Sequence, residues 1–469
     1  MTTADDIAAL VQKHYNALPA KRKPVVRGNG IREWVPLAGI VAQDKNGELK
    51  CLALATGMKC LPASKIPQAQ GNVLHDWHAE VLAIRSFNRF VLDECRILAQ
   101  GSSSELLRWR ASDEIGSICR RHADAIEAEE LGGLESEWDG QPFAWREDVL
   151  LHMYCSEAPC GDASMELIME AQEDATPWEL PPASLDTPPL STPEPSASLP
   201  GRAYFSQLGV VRRKPARSDA PPTLSKSCSD KLALRQCIAL LSSTTALLVN
   251  PRHVYIHTLV LPESRFSESA CRRSFSSSHI DGRMRSLTST EEQERGKGED
   301  QSSYGFRPFT IETASTEFAF SQRTVTNLVT NECSELVAQK IAASNISAAW
   351  TCTGLEETTL GGILQGRKQS TADARGASFA SRRRIWGLAV EIADLLLQRQ
   401  GVGGEEEKEA KHSNNSDRFD EIKRALGAKT YGGMKDCELL EPRRRAKEKA
   451  RAEALKGWVR NLGDESFNL

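Results

Sequence analysis

No stretch of the 469-residue sequence is apolar for long enough to cross a bilayer. The longest largely apolar run, residues 238–249, is interrupted by Ser-Ser-Thr-Thr, whereas a spanning helix needs about 20 apolar residues. The opening MTTADDIAALVQKHY has no basic segment followed by an apolar core, so no secretory leader is read there. Regularly spaced cysteines are also missing. The twelve present are scattered, which argues for reduced thiols and excludes a disulfide scaffold. No internal repeat of solenoid type occurs. The expectation is a cytosolic or nuclear protein with no membrane partner.

Net positive charge is lacking too, at −4, and on its face this disfavours a nucleic-acid partner. The distribution reverses that reading. Residues 171–200 carry five acids and no Lys or Arg, and Glu405-Glu406-Glu407-Lys408-Glu409 adds three net negative charges. With both set aside the balance of the chain turns positive, so a basic folded surface is masked by acidic linkers.

Residues 171–200 also hold eight prolines among Ser, Thr and acids, a composition that forms neither helix nor interior strand. Residues 262–306 and 401–418 are polar and aperiodic. All three are expected to be disordered insertions in one large domain over residues 26–469, led by a helical segment over 1–25. Ordered blocks lie between them. Residues 36–56 read as a hairpin turning at Lys45-Asn46-Gly47, because Asn-Gly favours the positive φ of tight hairpins. Residues 79–99, 160–170, 231–248, 380–399 and 442–459 read as helices, and 149–154 and 254–261 as buried strands. Strands alternating with helices predict an α/β sandwich around one mixed sheet.

Within that frame, His78 and Glu80 flank a small residue where an apolar helical pattern begins. His-x-Glu alone is a weak metal signal. Cys160 strengthens it, because it follows the apolar strand VLLHMY through a short loop and opens a helical stretch. A thiolate at a helix N-terminus is favoured by the dipole and by free backbone N–H groups. The residue three after Cys160 is Ala163, so no Cys-x-x-Cys clip forms and a third ligand must come from elsewhere. Cys155 ends a strand and Cys237 sits in an apolar run, both suited to a core. Cys228, flanked by Ser227, Ser229 and Asp230, stands where cap oxygens start another helix. His78, Cys160 and Cys228 are therefore the predicted zinc ligands, with a fourth position left for water as a catalytic site requires. Glu80 is the predicted proton shuttle. A structural zinc is the alternative, but such sites close with a fourth ligand near in sequence and none stands out.

HAE at His78, PCGDA from Pro159 and SCSDK from Ser227 together resemble the adenosine deaminases acting on RNA and the tRNA-specific adenosine deaminases of that branch. ATGMKCL, VRRKPARSD, LQGRKQ, YGGMK and GWVRN extend the resemblance from about residue 25 to the C-terminus. It implies a cytidine-deaminase-like αβα sandwich enlarged by a C-terminal helical part. The implied activity is hydrolytic deamination of adenosine to inosine. Only some 25 residues precede the similarity, too few for a double-stranded-RNA-binding module, so tRNA-specific members are the nearest likeness. Their substrate is adenosine 37, beside the anticodon of alanine tRNA. Another structured RNA, or a catalytically silent RNA-binding role, stays open as an alternative.

The resemblance further implies a buried inositol hexakisphosphate held by Arg85, Lys231, Arg367, Lys368 and Lys435, with Asp76, Tyr431 and Trp458 around it. Interior cations need such a polyanion to be tolerated. Ile84 and Leu234 stand where Arg is common among these proteins. For the C-terminal basic stretch a solvated helix face remains the other reading. Lys59, Lys214 and Arg217 are the candidate RNA contacts, since phosphates are met by exposed cations near a site mouth, although an ordinary solvated loop fits 214–219 equally well. No obligate protein partner is evident.

Overall fold

The computed structural model describes residues 3–115, 138–171, 199–200, 207–214, 221–288, 304–332, 340–367, 373–400 and 408–469. Its framework begins with the hairpin expected at Asn46-Gly47. Strands β1 (Leu37–Gln43) and β2 (Leu49–Thr56) pair antiparallel. Asp44 accepts the Asn46 and Glu48 N–H groups at 2.9 and 2.7 Å, and Gly47 adopts φ +84°, as the turn demands.

Six further strands complete a mixed sheet: β3 (Leu150–Cys155), β4 (Ile256–Pro262), β5 (Thr310–Ala314), β6 (Ile346–Thr351), β7 (Glu356–Leu360) and β8 (Ile363–Leu364). The order is β5-β4-β3-β1-β2-β6-β7-β8. β5, β4 and β3 run parallel to one another, and every later pairing is antiparallel. LAGIVA in β1 is buried throughout because both faces are covered, which is why it reads as a continuous apolar run and not as an alternation.

Helix α1 (Ala4–Ala17) starts from a Thr3/Asp6 capping box and packs Ile7, Val11 and Tyr15 with Leu37, Val41 and Leu54. On the other face α2 (Ala79–Ala99) packs Leu82, Phe87 and Phe90 with Ile40, Leu52 and Met153. That layer also holds α3 (Cys228–Ile238), α4 (Glu268–Phe275), α5 (Arg382–Gln400), α6 (Lys408–Leu426) and α7 (Glu441–Glu453). Among the described residues no helix is long and apolar enough to cross a membrane.

Several boundaries differ from the sequence reading, each for a local reason. The helix expected over 231–248 starts at Cys228 and ends at Ile238, where Ala239 takes φ +59° and turns the chain out of the helix. Over 160–170 only Met165–Glu170 is α-helical, after a 3₁₀ turn at Asp162–Ser164. The last helix stops at Glu453. Inside 262–306, α4 buries Ala270, Cys271, Ser274 and Phe275, a one-sided pattern that serine and arginine neighbours conceal. Within 401–418, the chain is helical from Lys408. Of 171–200, residues 172–198 lie outside the described set.

Candidate metal centre and interior cation cluster

Three chain segments meet at one end of the sheet. His78 is the residue on which α2 starts, with extended backbone and Glu80 in the first helical turn. Its N–H donates to Asp76 at 3.0 Å, and the Ala79 N–H donates to the Gly57 carbonyl at 2.8 Å. The second segment is the turn after β3, where Gly161 has φ +105° and a Cβ there would meet Ser227 Oγ at 2.3 Å. Only glycine fits. The third is the start of α3, where Ser227 Oγ accepts the Asp230 N–H and Cys228 is the first helical residue.

These segments bring His78, Cys160 and Cys228 together, with their ligand atoms all within 4.8 Å of one another. Cys160 Sγ lies 3.8 Å from His78 Nδ1 and accepts the Cys228 N–H at 3.3 Å. Ser229 stitches the two cysteine turns. Its N–H donates to the Cys160 carbonyl at 3.0 Å, and its hydroxyl lies 2.9 Å from the Pro159 carbonyl and accepts the Ala163 N–H at 3.1 Å. Ala163 thus supplies a backbone tie where a Cys-x-x-Cys clip would place a ligand. Two sulfurs and an imidazole suit zinc. Cys60, Asp76 and His78 form a second such grouping that shares the histidine.

The electrostatics favour one anionic sulfur, that of Cys160. The hydrogen bond from the Cys228 side chain is the largest influence on Cys160 and, with the charges of Lys214 and His78, outweighs burial to push this thiol well below its ordinary range. Burial and that neighbouring thiolate push Cys228 up. Glu80 is buried, and burial with the Cys160 charge raises its carboxyl above the usual range, as suits a group that carries a proton during a reaction.

Sequence reasoning expected Lys214 at an exposed mouth, in contact with RNA phosphates. It is buried instead, donating to Asp76 at 2.9 Å and to Cys228 Sγ at 3.2 Å. Lys231 and Ser225 also donate to that same Asp76 oxygen. Burial opposes the charge on Asp76, but Lys214 and Lys231 overcome it and hold the carboxyl well below its normal range. Lys59 is exposed and contacts Asn345, one residue before the bridge between Cys60 and Asp76. Arg217 and Lys368 lie outside the described residues.

From Lys231 the charge continues into a cluster of interior cations. Arg235 has its N–H groups on the Ala239 and Leu241 carbonyls, and Arg443 donates to the same Leu241 oxygen at 2.8 Å. Arg85 donates to the Ala380 carbonyl. Burial first, then mutual repulsion, pushes Arg235 down to about 9 and Arg85 down to about 10. Lys447 is pushed well down by burial and by Arg451, Arg443, Lys435 and Arg235. Among the described residues none of Arg85, Arg235, Arg443 and Lys447 has an ion pair, and the Nε of Arg443 and of Arg451 finds no hydrogen-bond partner. Trp458 lies 5.1 Å from Arg451 and 5.8 Å from Lys226, and Tyr431 lies 5.8 Å from Lys435 and 5.5 Å from Arg382. Buried cations without an ion pair are costly.

Of the cations expected to face the inositol phosphate, Arg85, Lys231 and Lys435 lie in or beside this cluster, whereas Arg367 is exposed and packs beside Gly376. Arg235, Arg382, Arg443 and Lys447 were missed. Ile84 and Leu234 are core residues, and it is Arg235, the neighbour of Leu234, that carries a guanidinium inward. The pattern Arg443, Lys447, Arg451, one residue every fourth position along α7, was the available signal, since i, i+4 residues share a helix face.

Residues 53–122 and 132–461 match the family model described as the adenosine-deaminase (editase) domain. The tRNA-specific adenosine deaminase 1 of Schizosaccharomyces pombe is 37% identical over 67% of this chain and 69% of its own length. That of Saccharomyces cerevisiae is 31% identical over 55% of this chain and 58% of its own. The Double-stranded RNA-specific adenosine deaminase of Mus musculus is 27% identical over 35% of this chain, a stretch amounting to 11% of that protein.

Proposed function

Because the chain belongs to the adenosine-deaminase (editase) family, we propose that it deaminates adenosine to inosine in tRNA, at position 37 beside the anticodon of alanine tRNA. The observation that carries this reading is the convergence of His78, Cys160 and Cys228 within 4.8 Å beside a buried carboxyl, Glu80, with a raised pKa. A cytidine-deaminase-like αβα arrangement accounts for it, since two helix starts and a turn after a strand present all four groups at one sheet end.

His78, Cys160 and Cys228 would hold zinc, which when bound is a Lewis acid that lowers the pKa of water towards about 7. Glu80 takes the proton of the attacking water and passes it to N1 of the purine. As the water oxygen bonds to C6, Glu80 is left free to take the remaining proton of the new C6 hydroxyl and deliver it to the amino group. The C6–N6 bond breaks, the C6 carbonyl forms, and adenosine and water give inosine and ammonia. Anticodon-loop bases are already partly unstacked, so presenting one to the site costs less than flipping one from a duplex. Lys59 is the candidate phosphate contact at the mouth.

The interior cations are assigned to inositol hexakisphosphate, through Arg85, Arg235, Lys231, Lys435, Arg443 and Lys447. Among the described residues Arg85, Arg235, Arg443 and Lys447 lack an ion pair, which supports a resident anion. The reading is tested by incubating the zinc-loaded protein with unmodified alanine tRNA and sequencing for inosine at position 37. No inosine there overturns it, and inosine in another RNA only would reassign the substrate.

A further inference from the structure

Asp162 and Asp230 each follow a metal-site cysteine by two residues, and both carboxylates are wholly buried. Buried carboxylates require partners, and both find an arginine from the stretch that contains α4 and the turn after it. Arg273 Nε donates to Asp162 at 3.0 Å, and its other nitrogens donate to the Asp162 carbonyl at 3.1 Å and to Glu166 at 2.5 and 3.0 Å. Arg283 donates to Asp230 at 2.6 Å. The two pairs are themselves joined. Ser274 donates its hydroxyl to Asp162 at 3.1 Å and offers its carbonyl to Arg283 Nε at 2.9 Å.

What each aspartate does for its turn is visible in its remaining bonds. Asp162 accepts the Gly209 N–H at 2.8 Å. Asp230 accepts the Arg212 N–H at 2.9 Å and the Ser227 hydroxyl at 2.6 Å, and Ser227 is the residue against which Gly161 packs. The chain Asp162–Ser274–Arg283–Asp230 therefore spans from behind Cys160 to behind Cys228. The sulfurs are 68 residues apart in sequence, so nothing covalent and local fixes their separation as a Cys-x-x-Cys turn would.

We propose that Arg273 and Arg283 are positioning residues for the metal centre, which set the spacing and orientation of the Cys160 and Cys228 turns through Asp162 and Asp230. The segment takes over the task that a two-residue spacer performs in a contiguous clip. This inference rests on the zinc assignment above. Groups behind metal ligands commonly alter metal affinity by about 10–100-fold when removed, and the same range is expected here.

The test uses the full chain, as wild type, Arg273→Ala, Arg273→Lys, Arg283→Ala and Ser274→Ala. Arg110→Ala, which breaks the half-buried Arg110–Asp139 pair at 2.7 Å elsewhere in the fold, is the control for general destabilisation. Zinc loss to a chelator is followed, and the absorption of the cobalt-substituted protein reports sulfur–metal geometry. Arg273→Ala and Arg283→Ala should lose zinc about 10–100-fold faster with altered cobalt bands. They should show a lower kcat at unchanged KM. Ser274→Ala should show a smaller effect in the same direction, and Arg273→Lys should recover part of the loss. Arg110→Ala should lower the melting temperature alone. If the arginine or serine variants that fold keep wild-type zinc retention and cobalt spectra, the proposal is overturned. A wild-type protein that binds no zinc overturns the zinc assignment itself, which is a separable result.

Discussion

Lys214 Nζ sits 2.9 Å from an Asp76 oxygen and 3.2 Å from Cys228 Sγ, so a single buried ammonium ties the metal-site sulfur to the carboxylate that Lys231 also holds. Lys231, which leads into the cation cluster, and Lys214, beside Cys228, thus share one carboxylate. Replacing Lys214 with Met leaves Asp76 with Lys231 and Ser225 only. Breaking a buried pair costs about 3–5 kcal/mol, and the surviving partners place this case near the low end, about 3 kcal/mol. Denaturant unfolding of Lys214→Met should register that loss, together with faster zinc release. Wild-type stability would mean that the ammonium is not held where these bonds place it.

Glu80 should be separable from metal binding, because it is assigned to the proton and not to the metal. Glu80→Gln keeps the shape and removes the acid. The variant should retain one zinc and bind tRNA as wild type does, while single-turnover inosine formation falls by about 10²–10⁴-fold, the usual weight of a positioned general acid–base. Near-normal turnover would assign the proton transfers to another group.

The parts of this site that the sequence made legible are those written in local patterns. The Asn46-Gly47 turn, the His78-Ala79-Glu80 helix start and the capped Cys228 each announce themselves within a few residues. Lys214 did not. In VRRKPARSD it looks like one more surface cation, and only Asp76, 138 residues away, decides that it is interior. Arg273 and Arg283 were hidden the same way, in a serine-rich stretch whose partners are the two buried aspartates. Long-range charge pairing leaves no periodicity to read. Arg443 and Lys447 were written in an i, i+4 pattern, yet that pattern equally describes a solvated helix face until the facing Arg85 and Arg235 are known.

The cation cluster predicts a copurifying anion. Mass spectrometry of denatured protein should detect inositol hexakisphosphate near one per chain. Loss of one charge-assisted contact, worth about 1.5–3 kcal/mol, should weaken its retention about 10–100-fold in Arg443→Ala and Lys447→Ala. Thermal melts with added hexakisphosphate should rise for wild-type protein stripped of anion and rise less for both variants. Protein free of any phosphorylated anion, with an unaltered melt on addition, would leave the cluster without its assigned partner.

His152 offers a pH-dependent reading of the sheet that is independent of both sites. It is buried in β3, with Nε2 3.0 Å from Gln43 Oε1 and its ring 5.7 Å from that of His257. Burial first, and the His257 charge second, lower its pKa to about 4, whereas the unfolded chain titrates near 6.5. The folded state therefore declines a proton that the unfolded state accepts. His152 costs the fold nothing above about pH 6.5, and stability falls as the pH drops from there towards about 4, by a total on the order of 2–3 kcal/mol. Carboxylates contribute to the same pH range, so the comparison is with His152→Gln, which cannot be charged. Unfolding free energies at pH 7.5 and 5 should show a steeper decline for wild type than for the variant. Parallel declines would mean that His152 takes up its proton equally in both states.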